Sequence, residues 1–212
     1  MDALALLSRE EAYEAINDTA SAQSVASPDR DPEFVGVWVP AISRRVDELC
    51  GPVVVRTVTD ERHDGGVYAI QLSKSPVLTV TTLVEYASGV VTTLTAEQDA
   101  TLPDDGYLLE TLGSTTFVYR RSSGSDRLFA YGRQNVKVTY EAGRAADTDA
   151  VDAKFKLAAG AILRRLWSRE AGAWARGGDP FTEAGVGPGF FKAIDPMVRE
   201  FLSDEMRVAG IG

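Results

Sequence analysis

The spacing of hydrophobic residues changes its period twice along the chain. Apolar positions recur every three or four residues over 8–17 and 32–50, every second residue over 53–141, and every three or four again after Gly143. A period near 3.6 is typical of amphipathic helices, and a period of two is typical of half-buried strands. The pattern therefore predicts an α+β protein in which helices precede and follow an antiparallel β region.

Two helices are predicted before the β region. Ser8 and Glu11 have the spacing of a capping box, which indicates the start of the first helix. The second helix has Pro32 at its first position and ends at Gly51, a residue type that readily closes helices. We expect Pro40 to kink this second helix. Its apolar stripe is Val35, Val39, Ile42, Val46 and Leu49.

The β region, assigned to residues 53–142, is interrupted by turn sequences. Runs rich in β-branched residues, such as VLTVTTLVEY and NVKVTY, alternate with the turn clusters DGG, PDDG and SSGSD. Such alternation is typical of short strands joined by hairpins. Six to eight strands fit, and the spacing leaves no room for crossover helices, so we expect a small sandwich or a barrel-like sheet.

A long helix is predicted in the segment 143–176. It should begin near Asp149 to Asp152, because acidic residues are favoured in the first turn of a helix. We expect its apolar face to pack against the helix over 32–50, or in part against a neighbouring subunit. That face contains Phe155, Ala159, Ile162, Leu166 and Ala173, with Leu163, Trp167 and Trp174 beside it.

The last segment, residues 177–212, combines glycines with a large apolar load. Its apolar side chains are Phe190, Phe191, Ile194, Met197, Val198, Phe201 and Leu202. Such a segment either folds back on its own domain or docks on another protein. We expect the second outcome for residues 185–202: an arm that is poorly ordered in the isolated chain and engages a partner or an adjacent subunit.

Composition and charge limit the classes of protein to which this chain could belong. The chain has 212 residues, of which 44% are hydrophobic, enough for a substantial core. Its one cysteine, Cys50, forms no internal disulfide, which favours a reducing, cytoplasmic site of folding. The sequence MDALALLSREEAY favours neither a signal peptide nor a membrane span, so we expect a soluble chain. A net charge of −9 argues against a protein that grips nucleic acid, because phosphate contacts need clustered Lys and Arg.

The sequence has few candidates for catalytic or metal-binding residues. The one histidine, His63, lies in DERHDGG, which we interpret as a solvated hairpin turn. Asp60, Glu61 and Asp64 beside it could hold a cation, yet a solvated turn explains the same residues. The stretch GVGPG lacks the Lys-Ser/Thr pair of a phosphate-binding loop. No catalytic residue, cofactor or metal site is therefore predicted.

The order of short motifs resembles a known family. LSREEAYEAI at 7–16, ELCG at 48–51, LSKSPV at 72–77, VTYEAG at 138–143 and LRRLW at 163–167 follow one another along the chain. This series is similar to that of the head-to-tail adaptor (connector) proteins of tailed bacteriophages. The similarity extends over most of the chain.

The resemblance implies a structural virion protein, not an enzyme. It implies a helical bundle, formed by residues 1–52 and the helix in 143–176, with an inserted β region and a C-terminal arm. Copies would assemble in the host cytoplasm into a ring, usually of twelve, beneath the portal protein. The ring would extend the DNA channel, let genomic DNA pass without specific binding, and support the next head-closure or tail connector protein, with no membrane involved.

Eight side chains are the expected contacts with the portal or a neighbouring subunit. They are Phe190, Phe191, Ile194, Met197, Phe201, Leu202, Trp167 and Trp174. A competing interpretation is a monomeric β-rich module with helical flanks that binds a ligand or peptide. Its groove would use the sheet aromatics Tyr68, Tyr86, Tyr107, Phe117 and Tyr119.

Overall fold

The computed structural model divides the chain into two compact units. It describes residues 4–17, 34–98, 100–113, 115–174 and 188–206. A helical unit extends to Val54 and resumes at Ala145, and a β unit occupies Val55–Arg144. The predicted α+β class, with antiparallel sheets, is confirmed.

The helical unit contains four α-helices in its described part. They are α1 (Arg9–Asn17), α2 (Val39–Cys50), α3 (Ala153–Trp174) and α4 (Pro188–Leu202), with a π-helical segment at Phe34–Trp38 and a 3₁₀ turn at Ser203–Glu205. The predicted capping box at the start of α1 is confirmed. The Glu11 N–H donates to Ser8 Oγ over 3.2 Å, and the Ser8 N–H donates to Glu11 Oε2 over 2.8 Å. This pair satisfies two N–H groups that the first turn would otherwise leave without partners.

Helix α2 begins later than the sequence predicts. The predicted start at Pro32 lies outside the described residues, and α2 begins at Val39 with Pro40 in its first turn. Proline has no N–H to donate to the preceding turn, and the segment that leads into α2, Phe34–Trp38, is π-helical. The kink at Pro40 stays a prediction. The predicted end is confirmed: Gly51 has φ 87°, and its N–H donates to the Asp47 carbonyl over 3.0 Å.

The core of the helical unit brings together residues that are distant in the sequence. The predicted apolar face of α3 is buried from Phe155 to Trp167, and the side chains of Ala173 and Trp174 lie outside the described part of the structure. Helix α1 approaches α3 closely at Gly160, where a Cβ would lie 3.3 Å from Ala15 Cβ. Arg164 Nε donates to the Ala15 carbonyl over 2.9 Å. The most deeply buried large side chains are Leu6, Ile16, Ile42, Phe155, Ile162, Leu163 and Ile194.

The β unit contains two sheets. Its strands are β1 (Arg56–His63), β2 (Ala69–Gln71), β3 (Val77–Ala87), β4 (Val90–Thr93), β5 (Thr95–Ala96), β6 (Gly106–Leu112), β7 (Thr115–Ser122), β8 (Ser125–Asp126) and β9 (Val136–Ala142). One sheet has the order β1-β9-β3-β4 and the other β2-β7-β6-β5, with β8 paired to β7. Every neighbouring pair is antiparallel except the short β5–β6 pair. The described strands number nine, more than the six to eight predicted, because β5 and β8 have only two residues each.

The two sheets share one core. Strand β9 buries every second residue, as a period of two requires. The side chains of Leu83, Val138 and Tyr140 from one sheet belong to the same buried cluster as Ile70 and Val118 from the other. This arrangement is a small sandwich, one of the two forms predicted.

The chain leaves and re-enters the helical unit at adjacent positions. Val54 and Ala145 form an isolated parallel bridge, and the Ala145 N–H donates to the Val53 carbonyl over 2.9 Å. Val53 and Val54 are at most 2% exposed. The helical unit therefore closes its own core at the point where the β unit is inserted.

Candidate assembly surfaces

The histidine lies at the end of a strand, in a polar cluster. His63 is the last residue of β1, and its Nε2 lies 2.8 Å from Glu61 Oε1. Glu61 Oε2 accepts hydrogen bonds from Tyr140 OH over 2.7 Å and Ser73 Oγ over 2.6 Å. The interpretation of this stretch as a solvated turn is therefore wrong for Glu61 and His63. Their contacts fasten the β2–β3 connection to β1 and β9.

Near neutral pH, Glu61 is ionised and Tyr140 is protonated. Burial alone raises the pKa of Glu61, but the contacts with His63, Ser73 and Tyr140 outweigh it and lower the pKa to about 2. Burial and the bond to Glu61 raise the pKa of Tyr140 to about 12.

Within the described ranges, no group of three or more His, Cys, Asp or Glu side chains could hold a metal ion. No helix in that part of the chain is long and apolar enough to cross a membrane.

One buried ion pair was not predicted from the sequence. The Arg120 side chain has no exposed surface, and its Nη2 lies 3.0 Å from Glu85 Oε1 and 2.5 Å from Asp105 Oδ1. Glu85 lies on β3 and Arg120 on β7, so the pair links the two sheets across their core. The period of two in β7 could have indicated this burial, because Arg120 follows Thr116 and Val118 at alternate positions and all three are buried.

Helix α4 packs on its own chain. Ile194, Val198 and Leu202 follow one another at four-residue spacing and are at most 2% exposed, within the core that α2 and α3 also line. The expectation of a poorly ordered arm over residues 185–202 is therefore wrong for residues 194–202, the part of it whose side chains the structure describes. The apolar side chains Ile194, Val198 and Leu202 thus pack within the same chain. The sequence left this outcome open, as a segment that folds back on its own domain.

Ion pairs join α4 to α2 and to α3. Arg45 on α2 forms two bonds with Asp195 on α4, Nε to Oδ1 over 2.5 Å and Nη2 to Oδ2 over 2.6 Å. The hydrogen bond from Arg45 lowers the pKa of Asp195, which stays ionised near neutral pH. Arg165 on α3 lies 3.3 Å from Glu200, another α4 residue.

The eight predicted interface side chains occupy different environments. Ile194 and Leu202 belong to the core just described, and Met197 is half-buried against it. Trp167 is 8% exposed and meets Trp38 edge to face, with ring centroids 6.3 Å apart. Phe201 is 40% exposed. The side chains of Phe190, Phe191 and Trp174 lie outside the described part of the structure, and the interface role of the whole set stays a prediction.

A loop of the β unit presents an aromatic ring to solvent. Tyr131, between β8 and β9, is 81% exposed, more than any other large hydrophobic side chain in the described ranges. Asn135 fixes this loop: its Nδ2 donates to the Ala130 carbonyl over 2.7 Å and to the Tyr86 carbonyl over 3.1 Å, and its Oδ1 accepts from the Gly65 N–H over 2.9 Å. The exposed ring therefore lies on a loop held by hydrogen bonds.

Two glycines make this arrangement possible. A Cβ on Gly65 would lie 1.9 Å from the Ala130 carbonyl oxygen. Gly66 has φ 81°, and a Cβ there would lie 2.8 Å from Tyr131 Cδ1. Larger residues would displace the loop, so this pair of glycines determines where Tyr131 stands.

The helical unit exposes a leucine after an acidic run. Leu157 on α3 is 71% exposed, second only to Tyr131 among the large hydrophobic side chains that the structure describes. Asp147, Asp149 and Asp152 precede it and are all exposed. Asp152 Oδ1 accepts from the Lys154 N–H over 2.9 Å, so this carboxylate caps the helix, which begins at Ala153 as predicted. The first turn itself contains no acidic residue, so that part of the prediction is wrong.

Comparisons with known proteins give one structural similarity. No model of a protein family matches the chain, and no curated protein matches it. Among solved structures, it is similar to a chain from "Neck of empty GTA particle computed with C6 symmetry". The sequence identity is 16%, the TM-score is 0.47, and the match covers 100% of this chain and 98% of that chain.

The geometry therefore offers surfaces for binding, and the polar clusters join elements of the fold. Tyr131 and Leu157 present apolar area to solvent on the β unit and the helical unit, respectively. The Tyr131 loop is bonded to the Arg120 ion pair, because the Ala130 N–H donates to Glu85 Oε2 over 3.1 Å. Recognition of another protein is the chemistry that such exposed side chains support.

Proposed function

We propose that this chain is a structural virion protein, a head-to-tail adaptor of a tailed bacteriophage or a phage-like particle. Copies form a ring, with twelve as the expected number, beneath the portal protein. The ring extends the DNA channel and supports the head-closure or tail connector protein that binds next. The protein reaches the virion after folding in the host cytoplasm, and the proposal includes no enzymatic step, cofactor or membrane.

The observation that carries this proposal is that three of the five motif segments, LSREEAYEAI, ELCG and LRRLW, contribute to one helical core. The helix with LSREEAYEAI packs on the helix that contains LRRLW, although about 150 residues separate them. Gly51 ends the helix with ELCG, and VTYEAG is the last strand before the chain returns at Ala145. Three of the segments that carry the family resemblance thus build the helical unit, and the other two, LSKSPV and VTYEAG, belong to the β unit.

Charge supports the passage of DNA through such a ring. The chain carries a net charge of −9, and Asp147, Asp149 and Asp152 are exposed. Phosphates are repelled by such a surface, so DNA would slide and not bind. Specific attachment is then left to protein partners, namely the portal and the next connector.

The test is attachment to heads that carry the portal protein. The full chain, tagged at its N-terminus, is mixed with DNA-filled heads from the same phage, and the heads are recovered by sedimentation. We expect the chain to sediment with heads that contain portal and not with heads assembled without it. Equal recovery from both kinds of head, or from neither, would contradict the adaptor function.

A second candidate is a monomeric β-rich binding module. Exposed Tyr68 and Tyr131 favour it, because exposed aromatic rings bind peptides and ligands readily. Tyr107, one of the aromatics expected in its groove, is 8% exposed and belongs to the core, which weakens this candidate. Light scattering separates the two: a chain that stays monomeric when purified portal is added favours the module.

A further inference from the structure

We propose that neighbouring copies of this chain bind edge to edge, with strand β4 of one copy added antiparallel to strand β1 of the next. Both strands lie at the open edges of one sheet, whose order is β1-β9-β3-β4 in the described part of the chain. This inference rests on the proposed ring and names the backbone edges through which its subunits bind.

Strand β4 directs part of its backbone away from the sheet. Tyr86 lies opposite Val91 in the β3–β4 register, and its N–H donates over 2.8 Å to the Asn135 carbonyl on the β9 side of β3. Residues opposite each other in an antiparallel pair point their backbone groups either at each other or both away. The N–H and carbonyl groups of Val91 and Thr93 therefore face outward, and both residues are exposed.

Strand β1 does the same at the opposite edge of the sheet. Because the Asn135 carbonyl points at β3, alternation along the chain points the backbone groups of Tyr140 at β1, where Val58 lies opposite it. The N–H and carbonyl groups of Thr57, the neighbour of Val58, therefore face outward, and Thr57 is exposed. A bulge follows Val58, so the part of β1 that can pair regularly is short, as β4 is.

The composition of these edges fits pairing with another strand. The edges of the second sheet, β2 and β5, have three and two residues, and very short edge strands resist such pairing. Strand β4 reads VVTT, without a charge or a proline. Its outward residues and Thr57 are β-branched, a type that pairs well across strands. An extended strand is therefore the partner whose backbone matches these edges.

Strand direction selects β1 of another copy as the partner of β4. The pairs β1–β9, β9–β3 and β3–β4 are all antiparallel, so β4 runs opposite to β1. A second copy in the same orientation thus presents its β1 antiparallel to β4, and the sheet continues from copy to copy. Copies in a ring share one orientation about its axis, as this contact requires. Two β4 strands would instead meet about a two-fold axis, which closes a dimer and leaves both β1 edges unused.

The test uses two proline variants, each of which blocks one edge. Val91→Pro acts on β4 and Thr57→Pro on β1, and each removes an N–H that faces away from the sheet, a position where an edge strand tolerates proline. The full-length chain and both variants are measured by sedimentation velocity at concentrations up to the order of 10⁻⁴ M, where weak contacts become populated. We expect the unmodified chain to form species larger than dimers, and each variant to associate at least about tenfold more weakly.

Val91→Thr and Thr57→Val are the matched controls. Both keep the N–H and a β-branched side chain, so they should associate as the unmodified chain does. Circular dichroism checks that each proline variant is folded. Where one is not, lysine at the same position takes its place, because a lysine on an edge strand opposes pairing without removing the N–H.

An equimolar mixture of the two proline variants distinguishes the β4–β1 contact from other pairings. One contact remains possible, between β4 of the Thr57→Pro chain and β1 of the Val91→Pro chain, so the mixture should form dimers and nothing larger. Amide hydrogen exchange gives a second readout. The Thr93 N–H of the first chain and the Thr57 N–H of the second should exchange more slowly in the mixture than in each variant alone.

Four results would overturn the inference. They are an unmodified chain that stays monomeric at these concentrations, proline variants that associate like it, a mixture that remains monomeric, and dimers of Thr57→Pro alone, which would mean that two β4 strands pair. If the chain is monomeric and yet sediments with portal-bearing heads, the adaptor function stands and the β4–β1 contact falls. If the variants and their mixture behave as expected and the chain fails to bind heads, the contact stands and the adaptor function falls.

Discussion

Arg45 and Asp195 lie 150 positions apart in the sequence and are joined by two parallel contacts of 2.5 and 2.6 Å. The planar guanidinium matches the two carboxylate oxygens, so the pair fixes both the position and the direction of α4 on α2. The two side chains are 24% and 30% exposed, which places the pair at the rim of the core that Ile194 enters. This bridge is therefore the polar part of the contact that holds the C-terminal helix.

Asp195→Asn should lower the free energy of unfolding by about 1 kcal/mol, because the pair is partly screened by solvent. Urea denaturation of the full chain measures this change in the free energy of unfolding. Glu48→Gln is the matched control, since Glu48 contacts the same arginine but is 49% exposed, and it should cost less than about 0.5 kcal/mol. Equal effects of the two substitutions would mean that the bridge to α4 adds nothing specific.

Ile194→Ala should cost about 2 to 5 kcal/mol, because the side chain is fully buried between helices and its removal leaves a cavity. Thermal unfolding followed by circular dichroism provides the comparison with the unmodified chain. Phe201→Ala is the control within the same helix. Because Phe201 is 40% exposed, we expect this substitution to lower the free energy of unfolding by less than about 1.5 kcal/mol. A loss below about 0.5 kcal/mol for Ile194→Ala would show that α4 does not dock in solution.

Glu61 should make stability depend on pH in the acid range. Its folded pKa of about 2 is below its ordinary value of 4.5, so its stabilising contribution is complete above about pH 4.5 and is lost as the pH falls towards 2. Glu61→Gln has no carboxylate to protonate at this position. We expect the difference in unfolding free energy between the two proteins to shrink over this range in urea titrations at fixed pH. A constant difference from pH 6 to pH 2 would contradict the low pKa.

Glu85→Gln should destabilise the β unit strongly, because it removes a charged partner from the fully buried Arg120. Breaking a buried ion pair on one side typically costs about 3 to 5 kcal/mol, although Asp105 retains part of the compensation here. Replacing both partners, by Glu85→Leu with Arg120→Met, should cost less than Glu85→Gln alone. If the double substitution is the more damaging of the two, the pair contributes net stability that hydrophobic packing does not replace.

The elements with strong local signals were predicted well. Ser8 and Glu11 form the capping box, Gly51 ends α2, and the alternation in VKVTYEA matches the buried positions of β9. Each depends on residues within one turn or one strand, where local hydrogen bonds and side-chain direction decide the outcome. The same reasoning predicted the buried face of α3 around Ile162.

The errors concern partners that are distant in the sequence. The apolar stripe of α4 was recognised, but its periodicity does not say whether a groove of the same chain or of another protein receives it. Glu61 looked like a solvated turn residue because Tyr140, its hydrogen-bond donor, follows 79 positions later. Arg120 was missed because a charged residue at an inward position is easily taken as exposed, and its partner Glu85 is on the other sheet. The exposure of Tyr131 depends on Gly65 and Gly66, whose role appears only when the two loops are placed together.

The parallel bridge between Val54 and Ala145 makes the β unit a replaceable cassette. Since the two ends of the inserted segment are neighbours that run in parallel, a connecting loop of about a dozen residues could join them and leave the helical core continuous. Recombination could exchange one β unit for another at this point without altering the helices. The same junction gives engineers a position at which a different domain could be displayed once per subunit.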